Sequence, residues 1–233
     1  MQAGYNGRRG PDVFAAFFLQ QKNGMTPKYK AFSFPIFGAA DKKDMTKKEI
    51  IKQHAARLFR LKGYKATSMR DIAQEVGMEA ASLYNHISNK QELLAELMMH
   101  IAEIFTDGMK NILSSSLSPR EKMERLINLH IRYTTEKPDA IAIITSEWVH
   151  LEEPILKDYL QLRSAYEGNI RNVIKEGIEQ GQFAAVDVEI AVFSILSTLR
   201  WLYSWYHQQE NINPVELEQK MVQCLLDGVN VRN

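Results

Sequence analysis

The sequence predicts an all-α protein with a small N-terminal three-helix helix-turn-helix unit and a larger C-terminal helical domain. Three observations predict this class. Apolar residues recur at helical spacing along most of the chain, and capping sequences precede these segments. No stretch shows the sustained apolar and polar alternation of a half-buried strand. Of the 233 residues, 45% are hydrophobic, which is enough for a packed core.

Capping signals divide the chain into helices. A Ser or Thr three residues before an acidic or amide side chain forms a capping box, and a glycine after an apolar segment ends a helix. The N-terminal helices are predicted between Thr46–Glu49 and Gly63, between Ser68–Asp71 and Gly77, over residues 80–87, and from Ser88–Gln91 to Leu113. The C-terminal helices are predicted from Ser118–Glu121 to Lys137, from Pro138, from Pro154 to Gly181, from Asp187, and from Asn213 to Gly228.

The charges are segregated along the chain, although the net charge is only +1. Residues 1–44 carry seven Lys or Arg and three Asp or Glu, residues 45–90 carry nine and four, and residues 91–233 carry thirteen and twenty-one. A small basic segment joined to a larger acidic body indicates an anionic partner for the basic segment. We therefore expect one domain over residues 45–93 and a second over residues 94–233.

Residues 1–44 fit no helical or strand pattern. Gly, Pro, Phe and Lys are scattered there without periodicity, and Met45 stands just before the first capping box. We interpret this segment as a disordered tail or as the result of a start codon assigned too early. The alternative is a basic arm that enters a DNA minor groove.

Composition excludes several classes of protein. The single cysteine, Cys224, rules out a disulfide framework and is compatible with a reducing cytoplasm. No apolar run reaches the roughly 18 residues that a membrane span needs. The apolar run at Val13–Leu19 follows two arginines, but no small-residue cleavage site closely follows it, so secretion is not predicted.

Catalytic and metal-binding patterns are also missing from the sequence. Glu147 and His150 have the spacing of half a di-iron carboxylate site, but a full site needs a second such motif and two more carboxylates. The other five histidines have no Glu three positions before them. Phosphate-binding loops, nucleophile elbows and Cys/His metal spacings do not occur. We predict no enzyme, no cofactor and no metal site.

The two short N-terminal helices lie in the stretch from Thr67 to Leu93, and their arrangement indicates a function. Two short helices that cross at a tight turn, with a third packed behind them, form a helix-turn-helix whose second helix lies in the DNA major groove. Gly77 permits the backbone conformation of the turn, Ala73 is small where the helices cross, and Leu83 lies in the shared core.

The sequence GYKATSMRDIAQEVGMEAASLYNHISNKQELL resembles the DNA-binding domain of the TetR family of bacterial regulators. The resemblance covers residues 46–93 and rests on these residues: Gly63, Thr67, Ile72, Ala73, Gly77, Leu83, Tyr84, His86, Ser88, Lys90 and Leu93. Three positions depart from the family pattern, where Ser, Gly and Phe are usual: Glu79, Ala81 and Ile87. These departures bear on which operator sequence is recognised.

The resemblance implies a set of DNA contacts. Thr67 and Ser68 would meet a phosphate at a helix N-terminus, and Tyr84 and Lys90 would contact the DNA backbone. Asn85 would be the best base-contacting residue, because its amide can pair with adenine through two hydrogen bonds. The full expected set is Thr67, Ser68, Ala80, Ala81, Ser82, Tyr84, Asn85, His86 and Lys90. The alternatives are a core aromatic role for Tyr84 and a solvated charge for Lys90.

The last two helices are expected to form a homodimer interface. One short recognition helix contacts too few bases alone, so a two-fold dimer and a near-palindromic double-stranded operator are predicted. In proteins of this family the last two helices pair with their copies as a four-helix bundle. The interface residues predicted from the helical spacing are Ile190, Phe193, Ser197, Leu217, Met221, Cys224 and Leu225.

The C-terminal domain is expected to be a ligand sensor. Its apolar and aromatic residues exceed what a simple helical core needs, and two arginines lie among them, where an unpaired cation is costly. The predicted pocket is Tyr133, Ile144, Trp148, Tyr159, Arg163, Tyr166, Arg200, Trp201 and Tyr203. Salt bridges to Glu147 or Glu167 are the alternative account of the arginines.

Three effector classes remain open at this stage. The segment RWLYSWYHQQENINP loosely resembles the end of TetR-type regulators of fatty-acid and aromatic-acid degradation, which favours a repressor released by a lipid or acyl-coenzyme A. His207 stands where an Arg often appears in those proteins. The alternatives are a repressor of efflux genes that responds to drugs or cations, and a DNA-binding regulator without a small-molecule ligand.

Overall fold

The computed structural model describes residues 45–209 and 212–228. Within these ranges the chain forms nine α-helices and one short 3₁₀ helix, and it forms no strand. The helices are α1 Lys47–Lys62, α2 Met69–Val76, α3 Ala80–Tyr84, α4 Lys90–Leu113, α5 Pro119–Glu136, α6 Pro138–Ser146, the 3₁₀ helix Glu147–His150, α7 Ile155–Glu179, α8 Val188–Tyr206 and α9 Pro214–Asp227. The predicted all-α class is confirmed. The expectations for residues 1–44 lie outside the described residues.

The capping signals form as hydrogen bonds at most helix starts. Thr46, Ser68 and Ser118 each complete a capping box with the acidic residue three positions later. The prediction for α4 is wrong by one residue. Asn89 rather than Ser88 caps this helix, because the Asn89 side chain accepts from the Glu92 N–H at 2.8 Å.

A compact core holds α1, α2, α3 and the start of α4 together. Phe59, Ile72, Leu83 and Leu93 have no exposed surface, and together they fix how the short helices cross. Gly77 ends α2 with φ 75° and ψ 37°, the left-handed conformation that only glycine adopts at low cost. The chain can therefore turn sharply between α2 and α3.

A second core occupies the C-terminal helices. In it α5 packs against α6, α8 and α9, and α7 packs against α4, α5 and α8. No helix in the described ranges is long and apolar enough to cross a membrane. The predicted boundary between residues 93 and 94 falls inside α4, which continues without a break from one core to the other. That boundary stays a prediction.

Candidate DNA-binding surface and ligand cavity

The outer side of α3 carries the side chains predicted to contact bases. Leu83 is fully buried and fixes which side of the helix faces the core. Ala81 and Asn85 are exposed, and Tyr84 is 52% exposed. Ala80, Ser82 and His86 are partly exposed. Ala81, Tyr84 and Asn85 therefore face solvent, whereas Ala80 packs partly against the core.

The start of α3 has weak local support. Glu79 occupies the N-cap position, but its side chain makes no capping hydrogen bond, and the helix is five residues long. A carboxylate that does not cap leaves the first N–H groups of the helix without a side-chain acceptor. The packing of Leu83 is the main support of this helix.

The hydroxyl group of Thr67 is buried, which contradicts its predicted contact with a phosphate. The residue is 1% exposed, and its hydroxyl donates to the carbonyl oxygen of Gly63 at 2.9 Å. Ser68 is exposed at the N-terminus of α2 and forms hydrogen bonds with Asp71. The Ser68 hydroxyl and N–H lower the pKa of Asp71 to about 2, so a carboxylate already occupies part of this helix end.

The Lys90 ammonium group is hydrogen-bonded within the protein, and its contact with a DNA phosphate stays a prediction. Its Nζ donates to the carbonyl oxygens of Tyr64 at 2.8 Å and Thr67 at 2.7 Å, with Lys65 O at 3.5 Å. The ammonium also lies 4.3 Å from the centre of the Tyr64 ring. Burial lowers the pKa of Lys90, and Asp71 partly opposes this. Lys90 therefore braces the loop between α1 and α2.

A cluster of four residues, which we call the joint, connects that loop to the C-terminal body. The Tyr64 ring stacks on His150, with ring centres 5.4 Å apart, and the Tyr64 N–H donates to Glu147 at 3.3 Å. The Tyr64 hydroxyl donates to Gln91 at 2.7 Å, and the Gln91 amide donates to the His150 carbonyl at 3.0 Å. Two of the four residues lie in the 3₁₀ helix, and one opens α4.

Glu147 and His150, which have the spacing of half a di-iron site, both belong to the joint. His150 Nε2 lies 3.6 Å from the Glu147 carboxylate, and both side chains are engaged with the α1–α2 loop or with each other. Within the described residues no group of three His, Cys, Asp or Glu side chains is placed to hold a metal ion.

A cavity of about 260 Å³ lies among α4, α5, α6, the 3₁₀ helix, α7 and α8. Seven of the nine predicted pocket residues line it: Ile144, Trp148, Tyr159, Arg163, Tyr166, Arg200 and Trp201. Tyr133 and Tyr203 do not line it. Tyr133 packs behind Phe105, with ring centres 5.3 Å apart, and Tyr203 stacks on Trp201 at 6.4 Å.

The two arginines of the cavity share one carboxylate. Glu167 Oε1 accepts from Arg200 at 2.6 Å and from Arg163 at 3.2 Å. Burial alone would raise the pKa of Glu167, but these two hydrogen bonds lower it below its usual value. The argument from unpaired cations is therefore wrong, and the salt-bridge account is right with Glu167 as partner. The three groups together still carry one excess positive charge.

A neutral hydrogen-bonded pair also lines the cavity. His130 Nε2 lies 2.8 Å from the Tyr166 hydroxyl, and the imidazole stacks on Phe105 with ring centres 4.6 Å apart. Burial, with a smaller effect from the charge of Arg200, lowers the pKa of His130 to about 3. Burial raises the pKa of Tyr166. Both groups are therefore uncharged near neutral pH.

An apolar stripe is exposed along α8 and the residues before it. Val186, Ile190, Phe193 and Trp201 are 50%, 63%, 69% and 62% exposed. Ser197 is partly exposed on the same side of the helix. An exposed apolar stripe of this kind is typical of a contact surface, and the interface on α8 stays a prediction.

The prediction for α9 is wrong for two of its residues. Leu217 and Met221 are 2% and 6% exposed, and they belong to the core cluster of their own protomer. Leu225 is partly buried against the same cluster, and Cys224 is partly exposed. The apolar side of α9 faces α5, because a helix with one such side buries it against its own chain when a neighbouring helix is available.

The fold and these sites define a helix-turn-helix regulator with a helical body that encloses a cavity. The N-terminal part matches bacterial regulatory proteins of the tetR family over residues 51–97. The C-terminal part matches the tetracyclin repressor-like C-terminal domain over residues 116–229. The chain belongs to the TetR family of transcriptional regulators, and the families and relatives that it matches are regulators rather than enzymes.

Individual relatives agree with this assignment. The transcriptional repressor KstR2 of Rhodococcus jostii is 28% identical over 178 residues, which are 75% of this chain and 87% of KstR2. The structure of the TetR family regulator PfmR from Thermus thermophilus is 30% identical, with a TM-score of 0.69, and the match covers 78% of this chain and 99% of PfmR. The structure of AibR with isovaleryl coenzyme A and operator DNA is 25% identical, with a TM-score of 0.68, and the match covers 77% and 97%.

Several residues of these sites were not predicted from the sequence. His130, Phe105 and the joint residues Tyr64 and Gln91 were absent from the expected sets. The only available signal for His130 was a histidine on an apolar helix side, which is more often a satisfied core residue. The joint depends on contacts between residues far apart in the sequence, so no local pattern marks it.

Proposed function

We propose that this protein is a homodimeric transcriptional repressor in the bacterial cytoplasm, released from its operator by an acyl-coenzyme A or a related lipid thioester. The observation that carries the proposal is the cavity. Aromatic and aliphatic walls suit an acyl group, and Arg163 and Arg200, with only Glu167 between them, leave one positive charge for an anionic ligand.

The size of the cavity favours partial burial of such a ligand. Ligand pockets that bury a drug-sized molecule usually measure about 300–1,000 Å³, whereas this cavity measures about 260 Å³. A short acyl group fits this volume, and the nucleotide part of coenzyme A must lie outside it. The side chains of Arg163 and Arg200 are each 33% exposed, so their positive charge can also attract the phosphates outside the cavity.

The relatives support the same ligand class. AibR was solved together with isovaleryl coenzyme A and operator DNA, and its match spans 97% of AibR. A cationic drug is disfavoured as the effector, because the charged groups that line the cavity are arginines. An efflux repressor that responds to cations is therefore the weaker alternative.

The dimer and the DNA contacts complete the proposal. A second copy of the chain would cover the exposed stripe of α8, and the two α3 helices would then lie about one helical turn of DNA apart, roughly 34–36 Å. Asn85 and Ser82 would contact base edges, and Tyr84 and Ser68 would contact the DNA backbone. Thr67 and Lys90 would support these contacts by holding the α1–α2 loop.

The joint is the route by which the cavity would influence DNA binding. Trp148 lines the cavity and lies in the 3₁₀ helix between Glu147 and His150, which contact Tyr64. A ligand that moves Trp148 would therefore move the loop that precedes α2. For release, the ligand must bind better to the form whose recognition helices are wrongly spaced, because equal affinity for both forms shifts nothing.

The test is to identify the small molecule that co-purifies with the protein from its host and to titrate operator release. Saturated, unsaturated and aryl acyl-coenzyme A species should release the operator at micromolar concentrations, and the corresponding free acids should be weaker. The control is the Arg200→Gln variant, which should bind the operator normally and need at least tenfold more thioester for release. If no thioester releases the operator while an unrelated cation or antibiotic does, the proposal is wrong.

A further inference from the structure

The polar groups that line the cavity differ in whether they are available to a ligand. Three hydroxyl groups donate to main-chain carbonyls. Thr106 donates to Ala102 O at 2.7 Å, Thr145 to Arg200 O at 3.5 Å, and Tyr159 to Ile144 O at 3.2 Å. These three groups stabilise the walls of the cavity and have no free proton to donate to a ligand.

The His130 and Tyr166 pair is different, because its hydrogen bond uses only one of two protons. The imidazole carries one N–H in its neutral form, and the phenol carries one O–H. If Nε2–H donates to the phenol, the Tyr166 O–H is free to donate. If the phenol donates to Nε2, the Tyr166 oxygen is free to accept. A change of tautomer therefore turns the Tyr166 oxygen from donor to acceptor at no cost in charge.

The pair differs from the arginines in charge and in the ligand group that it suits. Arg163 and Arg200 suit an anionic group. The neutral pair suits a neutral oxygen, since neither His130 nor Tyr166 carries a charge that would offset the cost of burying a carboxylate. The two polar sites of the cavity therefore recognise two different parts of one ligand.

Resting on the proposed function, we infer that His130 and Tyr166 select an acyl group that carries a keto or hydroxyl oxygen. The oxygen hydrogen-bonds to Tyr166, while the anionic part of the ligand lies toward the arginines. A keto oxygen accepts from the Tyr166 hydroxyl, and a hydroxyl group can donate to it or accept from it. A saturated acyl group leaves the free hydrogen bond of the Tyr166 oxygen unused.

The experiment measures dissociation constants calorimetrically for hexanoyl-coenzyme A and for its keto and hydroxy derivatives, with the oxygen placed at each chain carbon in turn. The wild-type protein should bind the best oxygenated probe on the order of tenfold more tightly than hexanoyl-coenzyme A, as one satisfied buried hydrogen bond implies. The Tyr166→Phe variant should lose the preference, so that its dissociation constants for the oxygenated probe and for hexanoyl-coenzyme A become equal.

The matched control is Tyr159→Phe, the same chemical change in the same cavity at a hydroxyl that already donates to the main chain. It should shift the affinities for all probes by one common factor and keep the preference. Operator binding by both variants without ligand verifies that they are folded.

Should Tyr166→Phe prefer the oxygenated probe as strongly as the wild type, the inference is wrong. It is also wrong if the wild type binds every probe equally, although the proposed function then stands. If the wild type binds no thioester at all, the proposed function fails and this inference fails with it.

Discussion

Tyr84 in the helix-turn-helix unit is 52% exposed, whereas Tyr166 in the body hydrogen-bonds a buried histidine at the wall of a cavity. The same contrast extends to their neighbours. The helix-turn-helix unit turns Asn85 and Ser68 outward, and the body places Arg163 and Arg200 around an internal space. In the proposed function, one region would recognise its partner on its surface, and the other would recognise its partner inside. Substitutions should therefore separate the two kinds of binding, except where residues connect the regions.

The largest effect is expected from a substitution on the surface of the body, because loss of the dimer would also weaken operator binding. Phe193→Asp places a carboxylate in the centre of the exposed α8 stripe, where a second copy would bury it without a partner. Such burial costs several kcal/mol, so the dimer should dissociate at least 100-fold more readily and the operator affinity should fall with it. Sedimentation and operator titration measure both quantities.

The control for this prediction is Leu160→Asp, which introduces the same charge at a partly exposed apolar residue of α7. That variant should remain a dimer. A folded Phe193→Asp protein that sediments as a dimer would show that α8 is not the interface.

Lys90→Ala should have the next largest effect, on the free protein as well as on DNA binding. The substitution removes two charge-assisted hydrogen bonds from the α1–α2 loop. We expect the free energy of unfolding to fall by about 2 kcal/mol, measured by urea denaturation without DNA. Lys65→Ala, an exposed lysine of the same loop, should leave the unfolding free energy unchanged. Unchanged stability in Lys90→Ala, with a flatter salt dependence of DNA binding, would instead identify Lys90 as a phosphate contact only.

His150→Ala tests the connection between the two regions. The variant loses the stacking on Tyr64 but keeps every residue of the cavity wall and of α3. Operator affinity without ligand and ligand affinity without operator should each change little. The factor by which ligand weakens operator binding should fall on the order of tenfold, within the usual range of coupling energies. A coupling factor equal to that of the wild type would exclude the joint as the route.

The smallest effect is expected from a substitution that changes operator affinity and leaves ligand affinity unchanged. Glu79→Ser supplies the capping hydroxyl that α3 lacks, and it removes a negative charge next to the proposed DNA contacts. A good N-cap contributes about 0.5–2 kcal/mol, so operator affinity should rise severalfold while ligand affinity stays constant. Filter binding to the operator and calorimetry with ligand measure the two affinities. Equal operator affinities for wild type and variant would mean that α3 is already fully formed in the free protein.

Local signals predicted the helices well, because a capping box or a terminal glycine acts within one turn. The same signals could not reveal what each helix packs against. The apolar side of α9 suggested an interface, but Leu217 and Met221 face α5 of the same protomer. Likewise, Thr67 and Lys90 matched a DNA-contact pattern. The Thr67 hydroxyl instead donates to Gly63 within the α1–α2 loop, and the Lys90 ammonium donates to Tyr64 in that loop, 26 residues earlier. Seven cavity residues were predicted from the apolar, aromatic and arginine residues of the body. The sequence offered Glu147 and Glu167 as partners of the arginines but could not choose between them, because the contact of Arg200 with Glu167 joins two different helices.

The unbroken course of α4 has a mechanical consequence. Its 24 residues extend about 36 Å at 1.5 Å per residue, from the joint at one end to the second core at the other. A rigid rod of that length that tilts by about 5° moves its far end by about 3 Å, close to the rise of one base pair along DNA, roughly 3.4 Å. A rotation this small needs no helix to unfold and no core to be rebuilt. Two such rods in a dimer, tilting in opposite senses, would double the error in spacing that the operator has to tolerate.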